Sequence, residues 1–312
     1  MKLTPLVSIC VVTYNSEKYV IETLESIKGQ TYRNIELIIS DDCSSDDTVP
    51  LCKAWIEDNK EQFVNVTLIA SPVNTGIPAN CNRGFFKAKG EWVKSIAGDD
   101  LLLPTCIEDN VRYVQEYPEV KFLFSKREEF GNDAEEIKVV QESRASRQYF
   151  YDLPVEKQFW DLIIKECCIG ACTQFIDRFT FNLLGGFDES IPLYEDYPMW
   201  VKATREGYKM YFMDKYTVRY RIHSGGISFG NKNKRKKDNF KKSVLLSFKK
   251  YRYPYLKQID KVGALYKYLY FKQHTKTTWL GEHYYLFLRL SLRIITLRKN
   301  MRIDANNEVS CL

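Results

Sequence analysis

At 312 residues, with 45% hydrophobic, 28% charged and 14% aromatic residues, the chain can bury a sizeable core, which excludes a disordered or fibrous protein and a scaffold dependent on staples. Its 46 basic against 40 acidic residues leave a net charge of +6, too mild an excess for a dedicated nucleic-acid binder. Nine scattered cysteines, an odd number, read as reduced thiols and predict a cytoplasmic setting.

The chain begins on a strand-like apolar run with neither the basic n-region nor the cleavage site of a signal peptide. No uncharged apolar stretch approaches the roughly 20 residues of a spanning helix, so a soluble or peripheral protein is expected. From Val7 to about Phe124, short apolar runs alternate with amphipathic ones, which predicts an α/β fold with a mainly parallel sheet. Strands are expected over Val7 to Thr13, Ile35 to Ser40, Val66 to Ala70, Trp92 to Ala97 and Val120 to Ser125, each buried on both faces. Between the first two, Val20, Leu24 and Ile27 form the stripe of a helix started by Ser16 and stopped by Gly29.

Residues 126 to 150 are polar and weakly periodic and read as a loop over the sheet. A helix near Glu156 to Glu166, a strand near Ala171 to Asp177 and a helix from about Asp196 follow. The cluster Cys167, Cys168 and Cys172 lacks a second Cys or His pair at zinc spacing and reads as buried thiols. A catalytic domain over 1–224 is expected, with a nucleotide half (1–125) and an acceptor half (126–224). Residues 225–312 read as a basic, aromatic-rich and mostly helical extension.

Neither a G-x-G-x-x-G turn nor a P-loop is present, so side chains, not a glycine nest, must hold any nucleotide. After the first strand come Thr13, Tyr14 and Asn15; Tyr14 could lie against a base, though Tyr-Asn at a strand end also reads as a plain turn. The second strand runs into Asp41 and Asp42 at the carboxyl edge of a parallel sheet, where open α/β folds bind ligands and where a carboxylate can accept the imide N–H of uracil. Asp46 and Asp47 read as caps of the next helix. Asn74, Gly76, Asn80, Asn82 and Arg83 make a polar helix entry on the same edge.

The fourth strand ends in Ala97-Gly98-Asp99-Asp100. Adjacent acids after a buried strand are costly unless a cation or donors oppose them, which suits a hard divalent metal bridging diphosphate oxygens; helix capping before Pro104 is the competing reading. Gly185-Gly186-Phe187-Asp188-Glu189, Tyr194-Glu195-Asp196-Tyr197 and Arg219-Tyr220-Arg221-Ile222-His223 complete the pattern. Taken alone, Glu195 and Asp196 are acids at a helix N-terminus and His223 is a surface histidine.

In this order, over residues 6 to 223, these motifs resemble family 2 of the inverting glycosyltransferases, which have the GT-A fold. VSICVVTYNSEKYV is similar to the family's first strand and nucleotide loop, IELIISDDCSSDDT to its second strand with the base-binding aspartate at Asp42, and NTGIPANCNRG to the segment closing over the donor. AGDD corresponds to the D-x-D region. The resemblance implies that Asp99 meets ribose or phosphate, that Asp100 ligates Mg²⁺ or Mn²⁺, that Asp196 in YEDYPMW is the catalytic base supported by Glu195, and that His223 in RYRIHSGGIS, beside Arg221, reaches the metal or diphosphate. Two departures stand out: Ala97 replaces an earlier aspartate of the D-x-D region, and Cys81 replaces a basic residue, with Arg83 displaced by two.

The resemblance implies transfer of a hexose or N-acetylhexosamine from a UDP-sugar to a glycan or polyprenyl-diphosphate-linked acceptor, in bacterial surface polysaccharide assembly. A single in-line displacement needs one base, because the leaving diphosphate is neutralised by metal, not protonated. Two rivals are a polyanion-binding module on residues 231–252 and a sugar nucleotidyltransferase; the acidic motifs argue against the first, and the lack of a glycine-rich opening loop against the second. NKNKRKKDNFKK and a helix over Tyr284 to Lys299 carrying Arg289 and Arg293 suggest docking on an anionic membrane face, with a solvated loop and a packed helix as the alternative.

Overall fold

The computed structural model describes residues 4–131, 144–165, 169–223 and 234–259. Its spine is an eight-stranded sheet in the order β3-β2-β1-β4-β7-β6-β8-β5. The strands are β1 (Val7–Thr13), β2 (Ile35–Asp41), β3 (Asn65–Ala70), β4 (Trp92–Ala97), β5 (Leu101–Leu102), β6 (Phe122–Gly131), β7 (Phe175–Asp177) and β8 (Met210–Ile222). The first four in this order are parallel, while β7 runs antiparallel to both β4 and β6, and β5 runs antiparallel to β8. The architecture is mixed α/β, as the GT-A resemblance implies.

Helices cover both faces. On one face α1 (Val20–Lys28), α2 (Thr48–Asn59) and α4 (Cys106–Glu116) bury Leu24, Trp55 and Ile107 against Ile9, Leu37 and Ile96. On the other, α3 (Ile77–Lys87) and α7 (Arg178–Leu183) meet through Phe85 and Phe181, with ring centroids 4.6 Å apart. The remaining helices are α5 (Arg144–Asp152), α6 (Val155–Lys165), α8 (Asp196–Arg205), α9 (Lys234–Ser247) and α10 (Tyr253–Ile259). A first compact unit ends at Val244; the described residues from Leu245 belong to a second. No helix among the described residues is long and apolar enough to cross a membrane. The expected helix carrying Arg289 and Arg293, and Cys167 and Cys168, lie outside the described residues.

Several local expectations need correction. Strand β3 is only half-buried along its length, because it is the sheet's edge. The polar run after Ser125 is not loop where it is described: β6 continues to Gly131 in parallel register with β8, α5 starts at Arg144, and residues 132–143 lie outside the described residues. Its charges are matched by other charges, Lys126 with Asp214, Arg127 with Glu129 and Glu128 with Arg219, in place of an apolar face. Residues 171–173 form a short helical turn, leaving only Phe175–Asp177 as strand. Helix α1 begins at Val20, with the Ser16 carbonyl accepting from the N–H groups of Tyr19 and Val20.

Candidate active site

The parallel strands deliver their last residues to one edge: Thr13 lies in register with Asp41, and Val12 with Ala97. There the loop after β1 is laced to the loop after β2. Thr13 Oγ1 donates to Asp41 Oδ2 at 2.9 Å, Asn15 Oδ1 accepts from the Ser45 N–H at 2.9 Å, and Asp46 Oδ2 accepts from the Glu17 N–H at 3.1 Å. Thr13 is buried, so it and Asn15 hold the loop, whereas Tyr14 is 53% exposed at its tip. Asn15 takes a φ of 52°, a left-handed conformation that asparagine tolerates well. Capping of α2 falls to Asp46, whose Oδ1 accepts from the Thr48 N–H, while Asp47 makes no side-chain cap bond.

Asp42 is buried and heavily engaged. Its oxygens accept from the Thr75 N–H and hydroxyl at 3.0 and 2.6 Å and from the Gly76 N–H at 2.8 Å, and Arg83 Nη2 lies 3.4 Å away. Arg83 also donates to Thr75 Oγ1 at 2.7 Å, so the displaced arginine still reaches the segment over Asp42. Asn74 is exposed beside it. Gly76, at φ 89°, faces the Pro192 carbonyl, which brings the approach to α8 against the same segment.

The Asp99-Asp100 turn is held from three sides. A Cβ on Gly98 would stand 2.8 Å from the Thr13 methyl group, so glycine is required where this turn meets the first loop. Thr23 Oγ1 on α1 donates to the Asp100 carbonyl at 2.8 Å. From β8, the Arg221 backbone N–H donates to Asp100 Oδ1 at 2.8 Å and its Nε to the Asp99 carbonyl at 2.7 Å. The Arg221 guanidinium also meets Glu22 Oε2 at 2.8 Å and lies between the rings of Tyr19 and Phe130, at 4.5 and 4.4 Å. His223 Nε2 sits 2.9 Å from Asp99 Oδ2, with its ring edge-on to Tyr19. His223, expected to reach the metal or diphosphate, has Asp99 as its carboxylate neighbour here.

Asp100 Oδ2 is buried with no hydrogen-bond partner among the described residues. Burial and the adjacent Asp99 charge push its carboxyl up to about 8. Among the described residues no group of three His, Cys, Asp or Glu side chains forms a ready-made metal cage. A hard divalent cation, however, is often held by one or two carboxylates with substrate phosphates completing the shell. An unpartnered carboxylate oxygen beside Asp99 and His223 fits that donor set.

Glu195 and Asp196 open α8, and Asp196 Oδ1 accepts from the Tyr197 N–H at 2.7 Å. Both are partly open to solvent, yet the surrounding protein displaces enough water to raise their carboxyls, Asp196 to about 6 and Glu195, which also feels the Asp196 charge, to about 8. The buried Cys81 thiol on α3 is held well above its ordinary value by burial and then by Glu195, with Asp196 and Asp42 adding to it. One helix residue therefore senses both the Asp42 and the Asp196 ends of the site.

Two supports have roles that the sequence did not assign. Asn82 joins α3 to the turn before α8, donating to Phe187 O and Glu189 Oε1 and accepting from the Phe187 N–H at 2.8 Å. Gly186, at φ 73°, passes so close to Asn82 that a Cβ would stand 2.7 Å from its oxygen. Buried Lys94 donates to the Cys172 and Gln174 carbonyls and fixes the turn over 171–173. A lysine inside an apolar strand was the available signal for the second; the first was legible only as part of the polar entry to α3.

Known proteins share this chain's family and fold. The glycosyl transferase family 2 profile covers residues 8–178, more than half of the chain. The UDP-Glc:alpha-D-GlcNAc-diphosphoundecaprenol beta-1,3-glucosyltransferase WfaP of Escherichia coli is 28% identical over 225 residues, 72% of this chain and 80% of that protein. The chain spans only 36% of a Rickettsia felis glycosyltransferase it matches and 65% of relatives from Rickettsia typhi and Rickettsia prowazekii. Among solved structures, S. aureus TarS 1–349 with UDP-GlcNAc superposes with a TM-score of 0.55 at 17% identity, over 85% of this chain and 81% of that one. The mannosyltransferase PcManGT of Pyrobaculum calidifontis, with GDP-Man and Mn²⁺, gives 0.57 at 18%, over 80% and 64%. At such identities the structures speak for the fold, and the profile match settles the family: the chain belongs to glycosyl transferase family 2.

Proposed function

We propose that the chain transfers a hexose or N-acetylhexosamine, with inversion, from a UDP-sugar to a hydroxyl of a glycan or lipid-linked acceptor in bacterial surface polysaccharide assembly. The observation that carries this reading is a pair of differently placed carboxylates. Asp100 is buried with one oxygen unpartnered, as a cation ligand would be, while Asp196 is partly open with its pKa raised toward neutrality, as a general base would be. The family membership and the donors and acceptor named for its relatives support the substrate class.

In this account Tyr14 stacks on the base, Asp42 accepts the uracil imide N–H, and Asn74 and Arg83 border the donor. Asp99 orients the ribose or phosphate side, with His223 hydrogen-bonded to it. A Mg²⁺ or Mn²⁺ ion held by Asp100, with His223 nearby, would neutralise charge on the departing diphosphate. Arg221 fixes the Asp99-Asp100 turn. Asp196 takes the proton from the acceptor hydroxyl as that oxygen attacks the anomeric carbon from the face opposite the leaving group. An α-configured donor then gives a β-linkage.

The test is UDP release by the purified protein from a panel of nucleotide sugars, with and without Mg²⁺ or Mn²⁺. Cation-dependent release from at least one UDP-sugar is the expected result. Release from none, or release indifferent to chelation, contradicts the reading.

A further inference from the structure

Helix α9 stands one aromatic contact from the proposed base. Tyr194 and Tyr197, which flank Glu195 and Asp196, stack with ring centroids 5.6 Å apart and an interplanar angle of 8°. The Phe240 ring of α9 meets Tyr194 edge-on at 5.9 Å and remains 37% exposed. The α9 sequence KRKKDNFKKSVLLS contains Lys234, Arg235, Lys236, Lys237, Lys241 and Lys242 against the single acid Asp238. Lys241 and Lys242 are exposed and form no ion pair with the described residues.

Through Phe240 this basic helix meets the acidic start of α8. The carboxylates of Asp42, Asp99 and, ionised as a base, Asp196 would repel an anionic acceptor brought up to Asp196 unless a cationic element received its charge. A neutral acceptor would need no such element. Resting on the glycosyltransferase reading above, we propose that α9 is the acceptor subsite for a glycosyl diphosphate: the Tyr194–Phe240 pair receives the acceptor sugar ring and Lys241 and Lys242 receive the diphosphate attached to it. Aromatic side chains present a broad apolar face to the C–H side of a pyranose, and ammonium groups make charge-assisted hydrogen bonds to phosphate oxygens. The α9 charges then act on the acceptor and not on membrane headgroups.

The probes are a short-chain alkyl ester of N-acetylglucosaminyl diphosphate and the uncharged alkyl glycoside of the same sugar, titrated into the full chain by calorimetry. The diphosphate ester should bind tighter by on the order of tenfold, and Lys241→Glu with Lys242→Glu should abolish that preference while UDP affinity is retained. Phe240→Ala should weaken both probes, and Phe240→Tyr should restore them. Equal affinity for the two probes, or a preference that survives the charge reversal, overturns the proposal. So does a double variant that loses only its binding to acceptor-free phosphatidylglycerol vesicles. Failure of the glycosyltransferase reading shows separately, as absence of cation-dependent UDP release, which this titration does not measure.

Discussion

The backbone N–H of Arg221 donates to Asp100 Oδ1 across 2.8 Å, joining residues 121 positions apart. The side chain of the same residue holds the Asp99 carbonyl and is clamped between Tyr19 and Phe130. Arg221→Met keeps the backbone bond and removes the clamp. It should cost about 1–3 kcal/mol in denaturant unfolding, because the planar cation and its stacking are lost from a buried place. Arg221→Lys should recover little, since an ammonium cannot reproduce the fork. A variant of unchanged stability and unchanged UDP affinity would remove Arg221 from its positioning role.

Asp100 is a carboxyl kept out of water with one oxygen unmatched, and burial pushes its ionisation up to about 8. Asp100→Asn should raise the melting temperature of the metal-free protein near pH 7, by about 2–4 °C for each kcal/mol of desolvation relieved. It should also weaken cation-dependent UDP binding by on the order of tenfold or more. Calorimetric titration of UDP with Mn²⁺ measures the second effect. Unchanged binding would move the cation elsewhere.

The raised carboxyls at the start of α8 set a pH dependence. Asp196, at about 6, and Glu195, at about 8, hold their protons more tightly in the folded chain than in the unfolded one, where carboxyls ionise near 4. Their contribution to stability is therefore fully present below pH 4 and is lost as the pH rises through about 6 and then 8. Catalysis runs the other way, because the base must be ionised. The rate kcat/KM should climb from pH 5 to 8 while these two residues withdraw stability over the same range, and a rate flat across that interval would contradict the assignment.

Asp42 spends both oxygens on the Thr75-Gly76 segment. If the uracil imide takes one of them, that segment must release. Amide exchange at Thr75 and Gly76 should then quicken on adding UDP, while Thr13, behind the nucleotide, slows. Slower exchange at Thr75 and Gly76 would mean that Asp42 remains a clamp and that the base is read by other groups.

The parallel half of the sheet was legible because strands buried on both faces leave continuous apolar runs, and the ends of β1, β2 and β4 fell within a residue of expectation. The polar end of β6 was not, since a strand whose charges pair along it and across to β8 leaves no period in hydrophobicity. That hid Phe130, and with it half of the Arg221 clamp. Asp99, Asp100 and Asp196 were readable as acids at a strand end and a helix start. The engagement of Asp42 by Thr75 and the attachment of His223 to Asp99 were not, because both depend on loops whose paths no local pattern encodes.

The account turns on Asp196 as the base. Asp196→Asn retains the helix start and much of the carboxylate's shape while removing the proton acceptor. Transfer from the UDP-sugar that the panel identifies, followed as UDP release in the presence of acceptor, should fall by on the order of 10²-fold or more. UDP affinity with Mn²⁺, measured on the same preparation, should stay within a few-fold of the parent. Transfer at near-parental rate by Asp196→Asn would contradict the central claim.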